Sequence, residues 1–328
     1  MNKDSKIYVA GHLGLVGSAL LKKLQNQNYS NIVTRNRKEL DLKLQANVDL
    51  FFKKHRPEYV FLAAAKVGGI IANNNKRAEF LYDNIMIQSN IIHCSYKYKV
   101  KKLLFLGSSC VYPKITNNPI AENSLLSSDL EYTNEPYAIA KIAGLKMCES
   151  YNIQYDTNFI SVMPTNLYGC NDNFNLDTSH VLPAIFRKIY LGKCLQENNW
   201  EAIIRDINKR PLDQIIDLSS KKQVSVGLEK YGIKEKSIEI WGSGNPLREF
   251  LWSDDLADAC LYVMENINFK DLYDNNKEIR NTHINVGSGE EISIKNLAIL
   301  IKNIIGYKGE FIFNKTKPDG TFKKLIDN

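Results

Sequence analysis

The stretch Lys6-Ile7-Tyr8-Val9-Ala10-Gly11-His12-Leu13-Gly14-Leu15-Val16-Gly17-Ser18-Ala19-Leu20-Leu21 decides the fold. A short apolar run suited to a buried strand meets three glycines at G-x-x-G-x-x-G spacing, and a helical run follows at once. Gly11 permits a tight turn, Gly14 lets the backbone approach a pyrophosphate, and Gly17 lets helix pack closely on strand. Unpaired N–H groups and the dipole at a helix start favour an anion there. With a strand before and a helix after, the glycines have the context of a dinucleotide-binding turn.

Residues 31–34 form the next strand, and its end would meet the adenosine ribose. A carboxylate there bonds a free 2′-hydroxyl, whereas arginine accommodates a 2′-phosphate. This chain offers Arg35, Asn36, Arg37 and Lys38, with no acid until Glu39, which predicts NADP(H); the alternative is ordinary loop charge. Helix 48–54 is expected to turn Leu50, Phe51 and Phe52 inward. Strand 59–65 ends in Ala63, Ala64 and Ala65, small enough for a flat ligand to approach, and 66–70 form a loop. Asn84 is a lone polar residue in the apolar helix 78–98, so it either bonds backbone or anchors a proton-relay water. Strands alternating with helices predict a parallel, doubly wound Rossmann sheet of the α/β class, with its crevice at the strand C-terminal ends. Gly11, Arg37, Ala64 and Ser108 all fall at such ends.

Strand 102–106 runs into Gly107-Ser108-Ser109-Cys110-Val111-Tyr112-Pro113, and Glu135-Pro136-Tyr137-Ala138-Ile139-Ala140-Lys141 opens a helix. Tyr137 and Lys141 are one helical turn apart and share a face. A phenol is a weak acid at neutral pH, and an ammonium beside it favours the phenolate, so Lys141 is expected to lower the pKa of Tyr137. Ser108 can hold a substrate oxygen in line with the Tyr137 proton. Positioned proton transfer of this kind is worth roughly 100- to 10,000-fold in rate. An ordinary amphipathic pair is the alternative for Tyr137 and Lys141 alone.

Strand 158–163 is followed by a polar loop at 171–179 and a helix beginning at His180. A smaller α/β substrate-binding domain is placed here: residues 1–168 with 250–284 would hold the cofactor, and 169–249 with 285–328 the substrate. Residues 195–237 are charged and irregular, with a short helix at 200–207, and read as an insertion or flexible lid. A strand and turn are expected at 237–244, a strand then a helix at 250–264, a strand at 282–287 and a helix at 294–305, with 311–313 preceding a turn at 317–320.

The 328 residues, 44% hydrophobic and 24% charged, have the usage of a globular protein. A net charge of +7 without an arginine-rich arm or basic repeat suits anionic small ligands and argues against nucleic acid. The start, Met1-Asn2-Lys3-Asp4-Ser5-Lys6, lacks the apolar core of a signal peptide, and no apolar run is long enough to span a bilayer. The expectation is a cytoplasmic protein without a membrane partner. Cys94, Cys110, Cys148, Cys170, Cys194 and Cys260 show no C-x-x-C spacing, and the histidines no H-x-x-x-H pair, so neither disulfide nor metal is expected.

Several strings resemble the extended short-chain dehydrogenase/reductases, and within them the GDP-L-fucose synthase family. They are Ala10-Gly11-His12 with Val16-Gly17-Ser18-Ala19, then 63–70, 103–113, 133–144, 161–169 and 241–244 with Arg248-Glu249-Phe250. The resemblance covers the chain except 195–237. It implies conversion of GDP-4-keto-6-deoxy-D-mannose to GDP-L-fucose: epimerisation at C3 and C5, then reduction at C4 with NADPH. It implies Ser108, Tyr137 and Lys141 as the reductase triad and Cys110 with His180 as the epimerising acid–base pair. A C4 ketone acidifies the hydrogens on C3 and C5, so a base and an acid on opposite ring faces can invert each centre through an enolate. A thiol starts at about pKa 8.5, and a nearby imidazolium would lower that of Cys110. Around the cofactor the resemblance implies Gly11, Gly14, Leu15, Val16, Gly17, Arg35, Arg37, Ala63, Ala64, Ala65, Leu106, Tyr137, Lys141, Pro164, Asn166, Leu167 and His180. Around the sugar nucleotide it implies Ser108, Ser109, Cys110, Asn166, Lys188, Trp241 and Arg248, although Trp241 suits a core equally well.

Some positions depart from the family. Leu13 stands where arginine is common, leaving the 2′-phosphate to Arg37 and Arg35; Cys170 replaces a proline, and Trp252-Ser253 a His-Val pair. Family members also continue past Lys324-Leu325-Ile326-Asp327, near which this sequence stops at Asn328. A related reading keeps C4 reduction without epimerisation, on another GDP-4-keto-6-deoxy sugar such as a heptose. A reading from another class is a non-catalytic NADP-binding scaffold, which would not require Ser108, Tyr137 and Lys141. The family implies a homodimer through helices 78–98 and 137–151, whose apolar faces could equally be core.

Overall fold

β1 (Ile7–Ala10) is buried at every position, as a strand covered on both faces must be. The computed structural model describes residues 1–213, 217–274, 276–317 and 319–328. Pro318 of the expected 317–320 turn, and 214–216 within the 195–237 segment, lie outside the described residues. After β1 come α1 (Leu15–Asn26), β2 (Ile32–Val33), α2 (Gln45–His55), β3 (Tyr59–Leu62), α3 (Ile70–Asn75) and α4 (Arg77–Lys97). β4 (Lys102–Leu106), α5 (Glu135–Tyr155), β5 (Phe159–Pro164), β6 (Asn166–Tyr168) and α6 (Val181–Gln196) follow. The remainder is α7 (Trp200–Lys209), α8 (Lys221–Lys230), β7 (Ser237–Trp241), β8 (Leu247–Trp252), α9 (Ser253–Asn266), β9 (His283–Val286), β10 (Glu291–Ser293), α10 (Ile294–Ile305) and β11 (Glu310–Asn314).

The central sheet has the order β2-β1-β3-β4-β5-β9, and its pairings are parallel throughout. It is the doubly wound Rossmann architecture expected. Val48, Phe51 and Phe52 of α2 pack with Ile91 and Ile92 of α4 and Ile142 and Leu145 of α5 in one core cluster. Leu20 and Leu24 of α1 join Leu256, Ala257 and Cys260 of α9 in another. The i, i+3, i+4 stripe Val48-Phe51-Phe52 explains one correction: Leu50, expected inward, lies off that stripe and is exposed.

A second region holds the sheet β10-β8-β6 and the pair β11-β7. Its core is built from α6, α7, α8, α10, β7 and their connections. The expected lid is corrected here. Residues 195–237 contribute α7 and α8, capped by Asn199 and Ser220 side chains that accept from Ala202 N and Gln223 N. Ile203, Ile207, Val224 and Leu228 are buried in the same core as Ile189 and Ile240. Polar residues outnumber apolar ones in this stretch, so the spaced apolar positions that anchor it gave little signal. Among the described residues no helix is long and apolar enough to cross a membrane, and no group of three or more His, Cys, Asp or Glu could hold a metal ion.

Candidate active site

The site is a row of strand ends. At the end of β1, Gly11 adopts φ +85°, and a Cβ there would lie 2.7 Å from the Ala64 Cα at the end of β3. A Cβ on Gly17 would lie 2.1 Å from the Gly11 carbonyl oxygen, so α1 is pressed onto the turn. α1 starts after Gly14 with no side-chain cap and no acid in its first turn, which leaves its N–H groups for an anion. His12 Nδ1 is buried beside them without a partner. These residues fit a dinucleotide diphosphate, and Leu15 and Val16 open the helix that would carry it. Leu13 is 69% exposed. Arg35 is turned towards α2: its Nη1 donates to Thr34 O at 2.6 Å, its Nη2 lies 3.4 Å from His55 Nε2, and its guanidinium stands over Phe51. Arg37 is exposed at the strand end, so it is the freer of the two arginines to meet a 2′-phosphate.

After β3, Ala63 N donates to Ala10 O at 3.0 Å, fixing Ala63, Ala64 and Ala65 beside the glycine turn. Asn84 resolves to the structural alternative. Its Oδ1 accepts from Lys66 N at 2.8 Å, and its Nδ2 donates to Lys66 O and Phe80 O at 3.0 and 2.7 Å. The amide therefore pins the loop after β3 to α4.

At the end of β4, Ser108 Oγ accepts from Cys110 N at 3.2 Å and caps a short 3-10 turn over residues 109–111. Ser109 is buried inside that turn, while Cys110 is half-buried with a free thiol. Tyr137 is held edge-on to Phe80, ring centroids 6.5 Å apart. Burial pushes its pKa well above the ordinary phenol value; charge on Cys110 adds to this, and a hydrogen bond with Ser108 opposes it. Lys141, 3% exposed, donates from Nζ to the Leu106 carbonyl at 2.7 Å and lies 5.8 Å from the Tyr137 ring. Burial pulls its pKa down to about 7. The Lys141 ammonium expected to lower the phenol pKa contributes no resolved shift to it here; burial, the dominant influence, favours the protonated form of Tyr137.

His180 is the residue before α6, and its backbone carbonyl accepts from Ala184 N at 3.1 Å. His180 is exposed at the surface, yet desolvation by the surrounding protein lowers its pKa below the usual imidazole value. The direction of that shift disfavours the imidazolium expected beside Cys110. The charges that interact with Cys110 instead are Arg248 and Lys324. Burial lowers the pKa of both, and Cys110 opposes that shift in each case. Asn134 Nδ2 also donates to Cys110 Sγ at 3.6 Å, and its Oδ1 is buried without a partner.

The expected sugar-nucleotide residues divide. Arg248 stands near Cys110 and uses Nη1 on its neighbour Leu247 O at 2.7 Å. Lys188 Nζ donates to Glu239 O at 3.0 Å and lies 5.7 Å from the Trp241 ring, with Lys317 5.2 Å from the same ring. Burial brings the Lys188 pKa down to about 8. Trp241 is 40% exposed, which settles it as a surface ring framed by cations rather than core. Asn166 Nδ2 donates to Glu249 O at 2.9 Å where β6 pairs with β8. Pro164 ends β5 fully buried and Leu167 is half-buried in β6. Cys170 is exposed, and Trp252 with Ser253 opens α9.

Asn134 and Lys324 were not identified from sequence. Asn134 falls between Thr133 and Tyr137, where only its neighbourhood pointed to it. Lys324 is brought in by tertiary pairing: Ile120 N donates to Leu325 O at 2.8 Å and Asp327 N to Ile120 O at 2.9 Å. No local pattern announces that contact.

Comparison with known proteins identifies the family. The model of the NAD dependent epimerase/dehydratase family matches residues 7–211 and 219–287. A relative from Arabidopsis thaliana named putative GDP-L-fucose synthase 2 is 48% identical, with 100% of this chain and 85% of the relative covered. Among solved structures, a GDP-6-OMe-4-keto-L-xylo-heptose reductase from C. jejuni is 47% identical with a TM-score of 0.93, over 100% of this chain and 91% of that one. A GDP-D-glycero-L-gluco-heptose synthase from Campylobacter jejuni, solved in the presence of NADPH, is 46% identical with a TM-score of 0.91, over 100% and 92%. Glycine turn, Ser-Tyr-Lys strand end and family match converge: the chain belongs to the NAD dependent epimerase/dehydratase family, within its GDP-L-fucose synthase group.

Proposed function

We propose that this chain converts GDP-4-keto-6-deoxy-D-mannose to GDP-L-fucose, epimerising C3 and C5 and then reducing C4 with NADPH. The observation that carries the reading is one strand end that gathers Ser108, Cys110, Tyr137 and Lys141, with Arg248 and Lys324 near enough to interact electrostatically with Cys110. The 48% identity to a GDP-L-fucose synthase supports the substrate.

NADP(H), held on the glycine turn and Arg37, supplies the hydride for C4 when bound. Ser108 and Tyr137 hold the C4 oxygen; because burial keeps Tyr137 protonated, its hydroxyl is the proton donor as that oxygen becomes an alkoxide. Lys141, tied to the Leu106 carbonyl, lies beside Tyr137 and would help hold the cofactor. Cys110 and His180 exchange the C3 and C5 protons, one accepting and one donating, while the C4 oxygen is held at Ser108 and Tyr137. Arg248, Lys188 and Lys324 face the diphosphate, for which Arg248 has a forked donor set. Trp241 offers its exposed ring to the nucleotide side.

Residues 1–168 with 250–284 form the cofactor domain in this reading, and 169–249 with 285–328 the substrate domain. The protein is a cytoplasmic homodimer. Exposed Tyr82 on α4 and Ile139, Ile153 and Tyr155 on α5 support a dimer face on these helices. A second reading, C4 reduction of a GDP-4-keto heptose without epimerisation, is supported by the two heptose enzymes at 46% and 47% identity.

One assay separates them: incubation with NADPH and GDP-4-keto-6-deoxy-D-mannose in deuterated water. Deuterium at C3 and C5 of the product, with cofactor oxidation, is the expected result. Reduction without deuterium moves the assignment to the second reading. No oxidation of NADPH with this or a GDP-4-keto heptose would remove both in favour of a binding role.

A further inference from the structure

Among the described residues, the 195–237 segment reaches towards the site through the loop at 171–179. Residues 171–179 connect β6 to α6 and deliver His180, and the loop is held at Phe174 by Arg187 of α6, at Asp177 by Tyr231 after α8, and at Leu176 by the core shared with α7 and α8. Arg187 of α6 is buried. Its Nε donates to Asp206 Oδ2 on α7 at 2.8 Å, its Nη1 to Phe174 O at 3.0 Å, and its Nη2 to Arg210 O at 2.5 Å. One guanidinium thereby joins α6, α7 and the loop. Tyr231, just after α8, donates to Asp177 Oδ2 at 2.9 Å and accepts from Asp213 N at 3.2 Å. Between these polar ties, Leu176 is buried in the core that holds Ile203, Ile207, Val224 and Leu228.

The far side of the loop rests on the catalytic half of the molecule. Gly69 N donates to Thr178 O at 2.9 Å, and a Cβ on Gly69 would lie 2.5 Å from Ser179 O. A Cβ on Gly68 would lie 3.1 Å from the ring of Phe80, the ring that meets Tyr137. The loop is therefore clamped between the segment and the floor of the site, with His180 at the end of the clamp.

We propose that residues 195–237 act as a brace that positions His180, with Asp206 and Tyr231 as its positioning residues. A buried guanidinium has few alternative partners, so the Arg187–Asp206 pair admits one loop geometry. The proposal rests on the reading that His180 is an acid–base group.

The test uses the full-length protein with Tyr231→Phe, Asp206→Asn, Asp206→Glu and His180→Gln, assayed with GDP-4-keto-6-deoxy-D-mannose and NADPH. Amide hydrogen exchange across 171–180 and NADPH affinity are measured alongside. Tyr231→Phe is expected to lower kcat at least tenfold, leave NADPH affinity unchanged, and speed exchange within 171–180 only. Asp206→Glu is expected to recover part of what Asp206→Asn loses. The brace is overturned if Tyr231→Phe leaves loop exchange unchanged, or if the loop loosens in both Tyr231→Phe and Asp206→Asn while kcat holds. Wild-type kcat in His180→Gln would overturn the acid–base reading instead, and that result is distinct because it does not depend on either brace variant. Should Asp206→Asn fail to fold, the milder Tyr231→Phe carries the decision.

Discussion

The glycine turn after β1 and the surroundings of Cys110 after β4 are ends of strands in one sheet, yet they are built in opposite ways. The turn is local: Gly11, Gly14 and Gly17 lie within one strand-to-helix link, and the distant backbone that Gly11 approaches is that of the small residues Ala63 and Ala64. The Cys110 site draws on Ser108, Asn134, Tyr137, Arg248 and Lys324, from four separate parts of the chain. At such a local site an exposed position like Leu13 can change with a contained effect, although Gly11 and Gly17 themselves leave no room for a Cβ. An assembled site depends on burial, and burial changes the chemistry of each member.

The largest effect expected from breaking that contrast is at Tyr137. Tyr137→Phe should lower kcat for reduction about 100- to 10,000-fold, while NADPH titration by fluorescence shows binding preserved, because the phenol belongs to the assembled site and the cofactor to the local one. Loss of NADPH binding in that variant would mean the two sites are not separable.

Next is Lys324→Met. Removing a charged partner of the substrate should raise KM for the GDP-sugar roughly 10- to 100-fold, with KM for NADPH unmoved in steady-state kinetics. An unchanged sugar KM would take Lys324 out of the site.

Burial itself is tested at Lys141. Its folded pKa lies at about 7, below that of an unfolded lysine, so between these values the unfolded chain holds a proton that the folded one lacks. Stability should rise with pH across that window and carry the full penalty below it, with a slope approaching ~1.4 kcal/mol per pH unit from this group. Urea melts of Lys141→Met at pH 6 through 10 should lack that slope and be relatively more stable at the acid end. Parallel curves for the two proteins would contradict the buried-ammonium assignment.

The smallest effect belongs to the local site. Leu13→Arg should tighten NADPH binding about 2- to 5-fold, as an exposed ion pair does, and the gain should fade in salt when followed by titration. A gain for NADH of the same size would show that the new charge does not face the 2′-phosphate.

The parallel sheet was legible because its strands are continuous apolar runs and its first turn is a glycine code. Ser108, Tyr137 and Lys141 were legible for a similar reason: strand end and helical spacing are local properties. The segment 195–237 was misjudged because its buried positions are spaced between charges, so its place in the core depends on α6 and α10, which no local pattern reports. Leu50 was misplaced by reading three adjacent residues as one face, although a helix turns each away from the last.

What the sequence by itself determined is therefore the frame: a doubly wound sheet, a dinucleotide turn and a Ser-Tyr-Lys strand end, all set by short-range periodicity and backbone sterics. Only the tertiary structure decided the protonation of the site and its company. Whether Tyr137 is held as a phenol, whether His180 is neutral, and which cations face Cys110 depend on desolvation and on contacts between residues more than a hundred positions apart. Those are properties of the packed volume around a group, and the order of residues along the chain does not contain them in readable form.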